Sequence, residues 1–323
     1  MKEMPFSSVL SALANPETSF PIRHLSRFSD LNQDDLNIFV NFWPRVPLAR
    51  KRTLLKKLYE QFTEDTLVSF EAVASALLTD ADAQIRIYAL KLLEETFDSR
   101  LIPHIINVIE TDPEIQARIQ AAIVLGQFIR MGEMEELDPL KLNMVEEALL
   151  KTARHENAAL AREALQVLGS SNRPEVKPFI ESALKHKDPL WQAAAILAAG
   201  HSANQQWQEP VLAGILNEDS TIRLAAVQSA GELELAPARK LLLELLEDET
   251  DDDIFKAAIW SLSQIGGEDV RTYLETMLDD MEDDEAIEFI EDALDNLSFT
   301  EDLENFSLMA FNPDDIEEDD ENK

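Results

Sequence analysis

Residues 219–231 read Asp-Ser-Thr-Ile-Arg-Leu-Ala-Ala-Val-Gln-Ser-Ala-Gly, and their spacing decides the fold. With Arg223 as anchor, an acid stands four residues before it and Ile222 one before it. Ala226 follows at +3, Ala230 at +7 and Gly231 closes the segment. Apolar side chains at −1, +3 and +7 form one stripe of a helix with 3.6 residues per turn. Small Ala at +3 lets a neighbouring helix approach. Asp219 is suited to capping the helix start, where a side-chain oxygen satisfies free N–H groups.

The same spacing recurs along the chain. Glu114, Arg118, Ala121, Leu125 and Gly126 form a second clear copy, and Asp82, Arg86, Ala89 and Leu93 a third. Four copies keep the spacing without the Arg, with anchors at Ala161, Gln192, Phe255 and Ile287. The anchors 86, 118, 161, 192, 223, 255 and 287 are separated by 32, 43, 31, 31, 32 and 32 residues. The one long step carries an insertion near 130–142. A fainter copy is anchored at Arg52, with Leu55 and Tyr59 at the core spacings.

A first helix is expected before each anchor helix, in segments such as 176–184, 207–216 and 238–246. Pro103, Pro178, Pro210 and Pro237 stand near their starts, where a missing N–H costs little. No stretch alternates β-branched residues between turn signals, so no strands are expected. A lone pair of short helices cannot bury its apolar faces, and stacking must supply the core. The pattern predicts an all-α fold, a right-handed α/α superhelix of about seven to eight helix pairs over 46–298. Residues 1–45 are expected to form an N-terminal helical cap with Phe39 and Trp43 in its core. Residues 299–323 are expected to be an acidic C-terminal tail, disordered at its end.

Asp219, Ile222-Arg223, Ala225-Ala226 and Ala230-Gly231 together resemble the bacterial HEAT-like repeat of the phycobilisome-lyase type. Ile85-Arg86 and Ile265-Gly266 are partial matches, and the resemblance covers roughly 65–298. It implies a HEAT-like solenoid with a structural Asp–Arg ladder, carried here by Asp82, Arg86, Glu114, Arg118, Asp219 and Arg223. The non-Arg anchors at Ala161, Gln192, Phe255 and Ile287 interrupt that ladder. The resemblance leaves function open, because this repeat serves scaffolds, regulators and lyases alike.

Composition narrows the function classes. The 323 residues include no Cys, so thiolate metal sites, thiol nucleophiles and disulfides are excluded. No basic start followed by an apolar run opens the chain, and no apolar stretch approaches the length of a membrane span. The expected location is the cytoplasm, with no membrane partner. The net charge of −35 is concentrated: residues 232–323 hold 32 acids against 5 Lys or Arg. Such a surface repels nucleic acid and anionic lipid.

No catalytic constellation stands out. His24, His104, His155, His186 and His201 include no i, i+4 pair, so no helical zinc site is expected. His155-Glu156 is a single His-Glu dipeptide, where iron-binding HEAT proteins resembling deoxyhypusine hydroxylase need several. The acidic runs 251–253 and 279–284 lack the Gly and alternate spacing of a calcium loop. No Gly-rich phosphate loop or nucleophile elbow occurs. No catalytic residue, metal or cofactor is expected. The one basic cluster, Arg45, Arg50, Lys51, Arg52, Lys56 and Lys57, reads as a solvated helix face or a contact for an acidic partner.

Positions +1 and +5 of the anchor helices point away from the core stripe, and in a HEAT-like stack they line the concave face. The candidate partner-binding face is Lys91, Ile119, Ile123, Arg162, Gln166, Leu197, Leu224, Gln228, Lys256 and Trp260. Its part-apolar character predicts a contact surface with Trp260 as anchor. The competing reading tucks Trp260 and the isoleucines between helices as extra core. The expected function is a non-catalytic scaffold or adaptor for a protein or peptide, with basic partners favoured by the acidic C-terminal third. The alternatives are a bilin lyase or isomerase subunit and, disfavoured by acidity, a nucleic-acid-binding protein.

Overall fold

The computed structural model describes residues 4–279 and 281–309, with side chains through Asp302. Its described residues are helical with no strand, and the fold is an all-α solenoid. The chain divides into two compact units, Met1–Val176 and Lys177–Lys323.

The first unit opens with α1 (Phe6–Ala14) and α2 (Gln33–Phe42). Phe39 and Trp43, expected in the core, are buried there. Their rings continue a chain of ring contacts from Phe6 through Phe28, at centroid spacings of 5.4, 6.1 and 5.0 Å. Next come α3 (Leu48–Glu64), α4 (Glu71–Leu77), α5 (Ala83–Lys91), α6 (Ile102–Thr111), α7 (Ile115–Glu133), α8 (Pro139–Thr152) and α9 (Ala158–Leu168). Helices α3, α5, α7 and α9 carry the anchors 52, 86, 118 and 161, and each packs on the next. Helix α2 packs on α4 as α3 packs on α5, so the Arg52 copy belongs to the stack. Within it Leu55 is fully buried and Tyr59 half-buried.

The long step between anchors 118 and 161 is made of helix. Helix α7 continues to Glu133, and after a short turn Asp138 caps α8, which starts on Pro139. The insertion near 130–142 is therefore absorbed mostly by extra helical turns.

The second unit contains α10 (Val176–Leu184, beginning on the boundary residue), α11 (Pro189–His201), α12 (Gln208–Ile215), α13 (Ser220–Glu232), α14 (Ala238–Asp248), α15 (Asp252–Ile265), α16 (Glu268–Asp279) and α17 (Asp284–Met309). Anchor helices α11, α13, α15 and α17 again pack in succession. The Ile222, Ala226, Ala230 stripe and its counterpart Ile254, Ala258, Leu262 are buried in one core. Gly266 and Gly267 take φ of +75° and +123°, the left-handed backbone that allows the sharp entry into α16. Helix α17 runs through 299–309, so the expected tail begins as helix; the remainder of that expectation, 310–323, lies outside the described residues.

Two recurring contacts organise the stack. The residue at −4 caps its helix by side chain in every copy from anchor 86 onward except Glu114. The residue at −6 holds the loop by accepting the backbone N–H of −4. It is Asp80, Asp112, His155, His186, Asn217 and Glu249 in successive repeats, at 2.9–3.1 Å. Truncating the Asp219 cap to Ala should cost about 1 kcal/mol. Urea unfolding followed by circular dichroism would measure it, and an unchanged midpoint would show that water replaces the cap.

The ladder arginines pair between repeats and not within them. Arg86 does not pair with Asp82, Arg118 with Glu114 or Arg223 with Asp219. Each Arg reaches forward to the −6 residue of the next repeat. Arg86 Nε and Nη2 donate to Asp112 at 2.6 Å each, Arg223 to Glu249 at 3.0 and 3.3 Å, and Arg118 Nη1 lies 3.3 Å from His155 Nε2. Asp82 accepts a fork from Arg52 of the preceding copy, at 3.1 and 2.6 Å. The next repeat's loop stands beside each of these guanidiniums, while Asp82 and Asp219 cap their own helices.

Candidate functional site

The anchor helices are held close by small residues. Ser229 Oγ donates to the Ile196 carbonyl at 2.9 Å and Ser261 Oγ to the Val227 carbonyl at 2.8 Å. Gly200 and Gly231 face these serines at distances that leave no room for a Cβ. Side chains at +1 and +5 therefore project from a fixed platform.

In the first unit the predicted face is largely closed. Lys91, Ile119, Ile123, Arg162 and Gln166 are all half-buried. Lys91 Nζ sits 4.8 Å from the Tyr59 ring centre and 6.0 Å from that of Tyr88, a cation–π arrangement within one wall of the unit. Burial pushes the Tyr59 hydroxyl above its ordinary value, helped by the charge of Glu94. Arg162 and Gln166 are also engaged within the structure.

The second unit divides the remaining positions. Leu197 and Leu224 are half-buried against the core. Gln228, Lys256 and Trp260 are exposed, and Trp260 leaves 41 % of its surface to solvent. A large aromatic at that exposure is accessible to a partner while still supported by its helix.

Sequence reasoning missed a groove between α15 and the start of α17, of about 420 Å³. Its floor is apolar: Phe255, Ile259, Met281, Ala286, Phe289 and Ile290. Its rim is Asp283, Glu285, Glu288 and Asp292, with Lys256 as the one cation among the described lining residues. The signal for it was present. Phe255 occupies an anchor position and Met281 the following −6 position, the two places that an Arg and its acceptor take in the first repeats. An ion-pair rung is replaced by an apolar one, and the space it would fill stays open.

Four of the five histidines have local structural partners, and His104 is exposed. His155 and His186 hold their loops as −6 residues. His24 is buried with its ring 5.9 Å from Phe20, and His201 Nε2 lies 3.5 Å from Glu232. Burial raises the Glu232 carboxyl above the ordinary carboxylate range against the pull of His201. Among the described residues no three of His, Asp or Glu converge as metal ligands.

The basic cluster is engaged by neighbours in its own unit, although Arg45, Arg52 and Lys56 stay exposed. Arg50 Nη2 donates to the Asn15 carbonyl at 3.0 Å and also to that of Thr18. Lys51 lies 3.8 Å from Asp80 and 4.7 Å from the Trp43 ring centre. Arg52 forks on Asp82, and Lys56 and Lys57 meet Glu60. Arg45 stands over Phe42 at 5.8 Å. Arg50, Lys51 and Arg52 join α3 to the cap and to the next repeat, whereas the Lys56, Lys57 and Arg45 contacts are local.

A family model for HEAT repeats matches residues 146–229 and 208–295. A comparison with curated proteins found no match. Among solved structures, the complex of CpcE and CpcF of phycocyanin lyase from Nostoc sp. PCC7120 is similar at 14 % identity and a TM-score of 0.52. The alignment covers 92 % of this chain and 99 % of that one. Importin beta is similar at 14 % identity and a TM-score of 0.45, over 90 % of this chain and 46 % of that one. Human deoxyhypusine hydroxylase is similar at 16 % identity and a TM-score of 0.36, over 91 % and 96 %. No helix among the described residues is long and apolar enough to cross a membrane. The matched repeats, the seven-anchor period and the stacked helix pairs agree: the chain carries HEAT repeats over 146–295 within an all-α solenoid.

Proposed function

We propose that the protein is a non-catalytic scaffold that holds a partner protein or peptide on the exposed anchor-helix surface of its second unit. One observation carries this reading: Trp260 is 41 % exposed on a platform whose helices are tied by buried Ser-to-carbonyl bonds. Large aromatics supported in this way dominate binding energy at interfaces. Gln228 and Lys256, also exposed, supply polar contacts beside it.

Trp260→Ala should weaken partner binding by about 2 kcal/mol, roughly thirty-fold in Kd, with helical content unchanged. Affinity capture from the native cell, using immobilised wild type and variant side by side, measures the loss. Equal recovery of the same partners on both would place binding elsewhere.

The likeness to the CpcE–CpcF complex gives a second reading, a bilin lyase or isomerase subunit. It predicts that a bilin mixed with the protein changes its visible absorbance. An unaltered spectrum would remove that reading without touching the scaffold.

A further inference from the structure

We propose that the groove between α15 and α17 receives a basic, part-apolar segment of a partner protein; this rests on the scaffold reading and names the chemistry of its ligand. The argument begins with the missing rung. In the earlier repeats the space between an anchor and the next loop is closed by Arg86 and Asp112 or by Arg223 and Glu249. At the corresponding place Phe255 and Met281 stand half-buried, and Phe289 joins them from α17. Apolar surface that could have been closed by an ion pair is left facing a groove.

The volume of about 420 Å³ falls in the range of pockets that accept one or two large side chains. The rim selects among occupants by charge. Glu285, Glu288 and Asp292 are all exposed around an apolar floor, in a segment where 32 acids face 5 Lys or Arg over 232–323. Phosphate and anionic lipid are repelled there. A small cation has no use for an apolar floor, and the described carboxylates do not converge as ligands. A peptide with aliphatic or aromatic side chains flanked by Lys or Arg satisfies both parts: apolar groups cover Phe255, Met281 and Phe289 while the cations meet the rim.

The test uses the full chain and three fluorescein-labelled probe peptides of equal length. One is an amphipathic Lys/Leu helix, one has Lys with Ser in place of Leu, and one has Glu with Leu. Fluorescence anisotropy should show the Lys/Leu peptide binding at least ten-fold tighter than either other peptide. The decisive variant is Phe255→Arg with Met281→Asp, which restores the rung, fills the groove and leaves net charge unchanged. It should lose at least ten-fold in affinity for the Lys/Leu peptide. Glu285→Lys with Glu288→Lys, both exposed, should lose as much and serves if the rung variant fails to fold. Glu247→Lys with Asp248→Lys on α14 changes net charge equally away from the groove and should lose less than three-fold. Wild-type affinity in the rung-restored variant, or equal losses from both charge reversals, would reduce the attraction to bulk charge and overturn the proposal. Loss of the Trp260→Ala effect in partner capture, with this peptide pattern intact, would instead count against the scaffold surface alone.

Discussion

Arg86→Ala should destabilise the first unit by about 3–5 kcal/mol, because removing one member of a buried ion pair strands the other. The side chains of Arg86 and Asp112 are only 10 % and 5 % exposed. Arg86 also donates to the carbonyls of Asp80 and Ala81 at 2.9 and 3.3 Å, so the change leaves two loop carbonyls short of a donor. The cost should depend on pH in a defined direction. Burial pushes the Asp112 carboxyl up, but Arg86 and the Glu114 N–H outweigh it and hold it below its ordinary value. A group depressed in the folded state adds stability above its unfolded pKa and loses it as pH falls through the folded one. The gap between wild type and variant should be complete near neutral pH and narrow below about pH 4, as Asp112 takes up a proton. Urea unfolding at several pH values measures both effects. A cost under about 1 kcal/mol, or one that ignores pH, would make the rung equivalent to a surface pair.

Gly231→Ala should cost about 1–3 kcal/mol by overpacking, despite the gain in helix propensity. A Cβ at Gly231 would come within 2.8 Å of Ser261 Cα, which is backbone and can yield only if α15 moves away from α13. That movement would stretch the Ser261-to-Val227 hydrogen bond of 2.8 Å. The same substitution at Gly126, also at +8 of its repeat, provides the comparison. Its Cβ would meet Val167 Cγ1 at 3.1 Å, a side chain that can turn, so Gly126→Ala should be near neutral. Thermal melts of the two variants decide the point. Equal shifts would show that the helices adjust as readily at both crossings.

The period was legible because it depends on residue identity at fixed spacing. Ala at +3, an apolar residue at +7 and a capping side chain at −4 are demanded by close helix packing and by free N–H groups, and few residue types meet either demand. The −6 position was not legible for the opposite reason. Asp112, His155, Asn217 and Glu249 share only an acceptor atom at the right reach, and no letter in the sequence marks that. The partners of the ladder arginines were therefore not readable from the sequence. Exposure along the candidate face was not legible either: Trp260, Lys256 and Gln228 are exposed and Ile119 and Ile123 half-buried, which depends on neighbouring helices.

The sequence by itself determined the helix pairs, their seven anchors and the concentration of acid toward the C-terminus, since these are local patterns and sums of charge. Only the tertiary structure decided which guanidinium meets which acceptor, because those partners lie 26 to 37 residues apart and belong to different repeats. It also decided that Phe255 and Met281 leave a groove, since a cavity is set by what neighbouring side chains fail to fill.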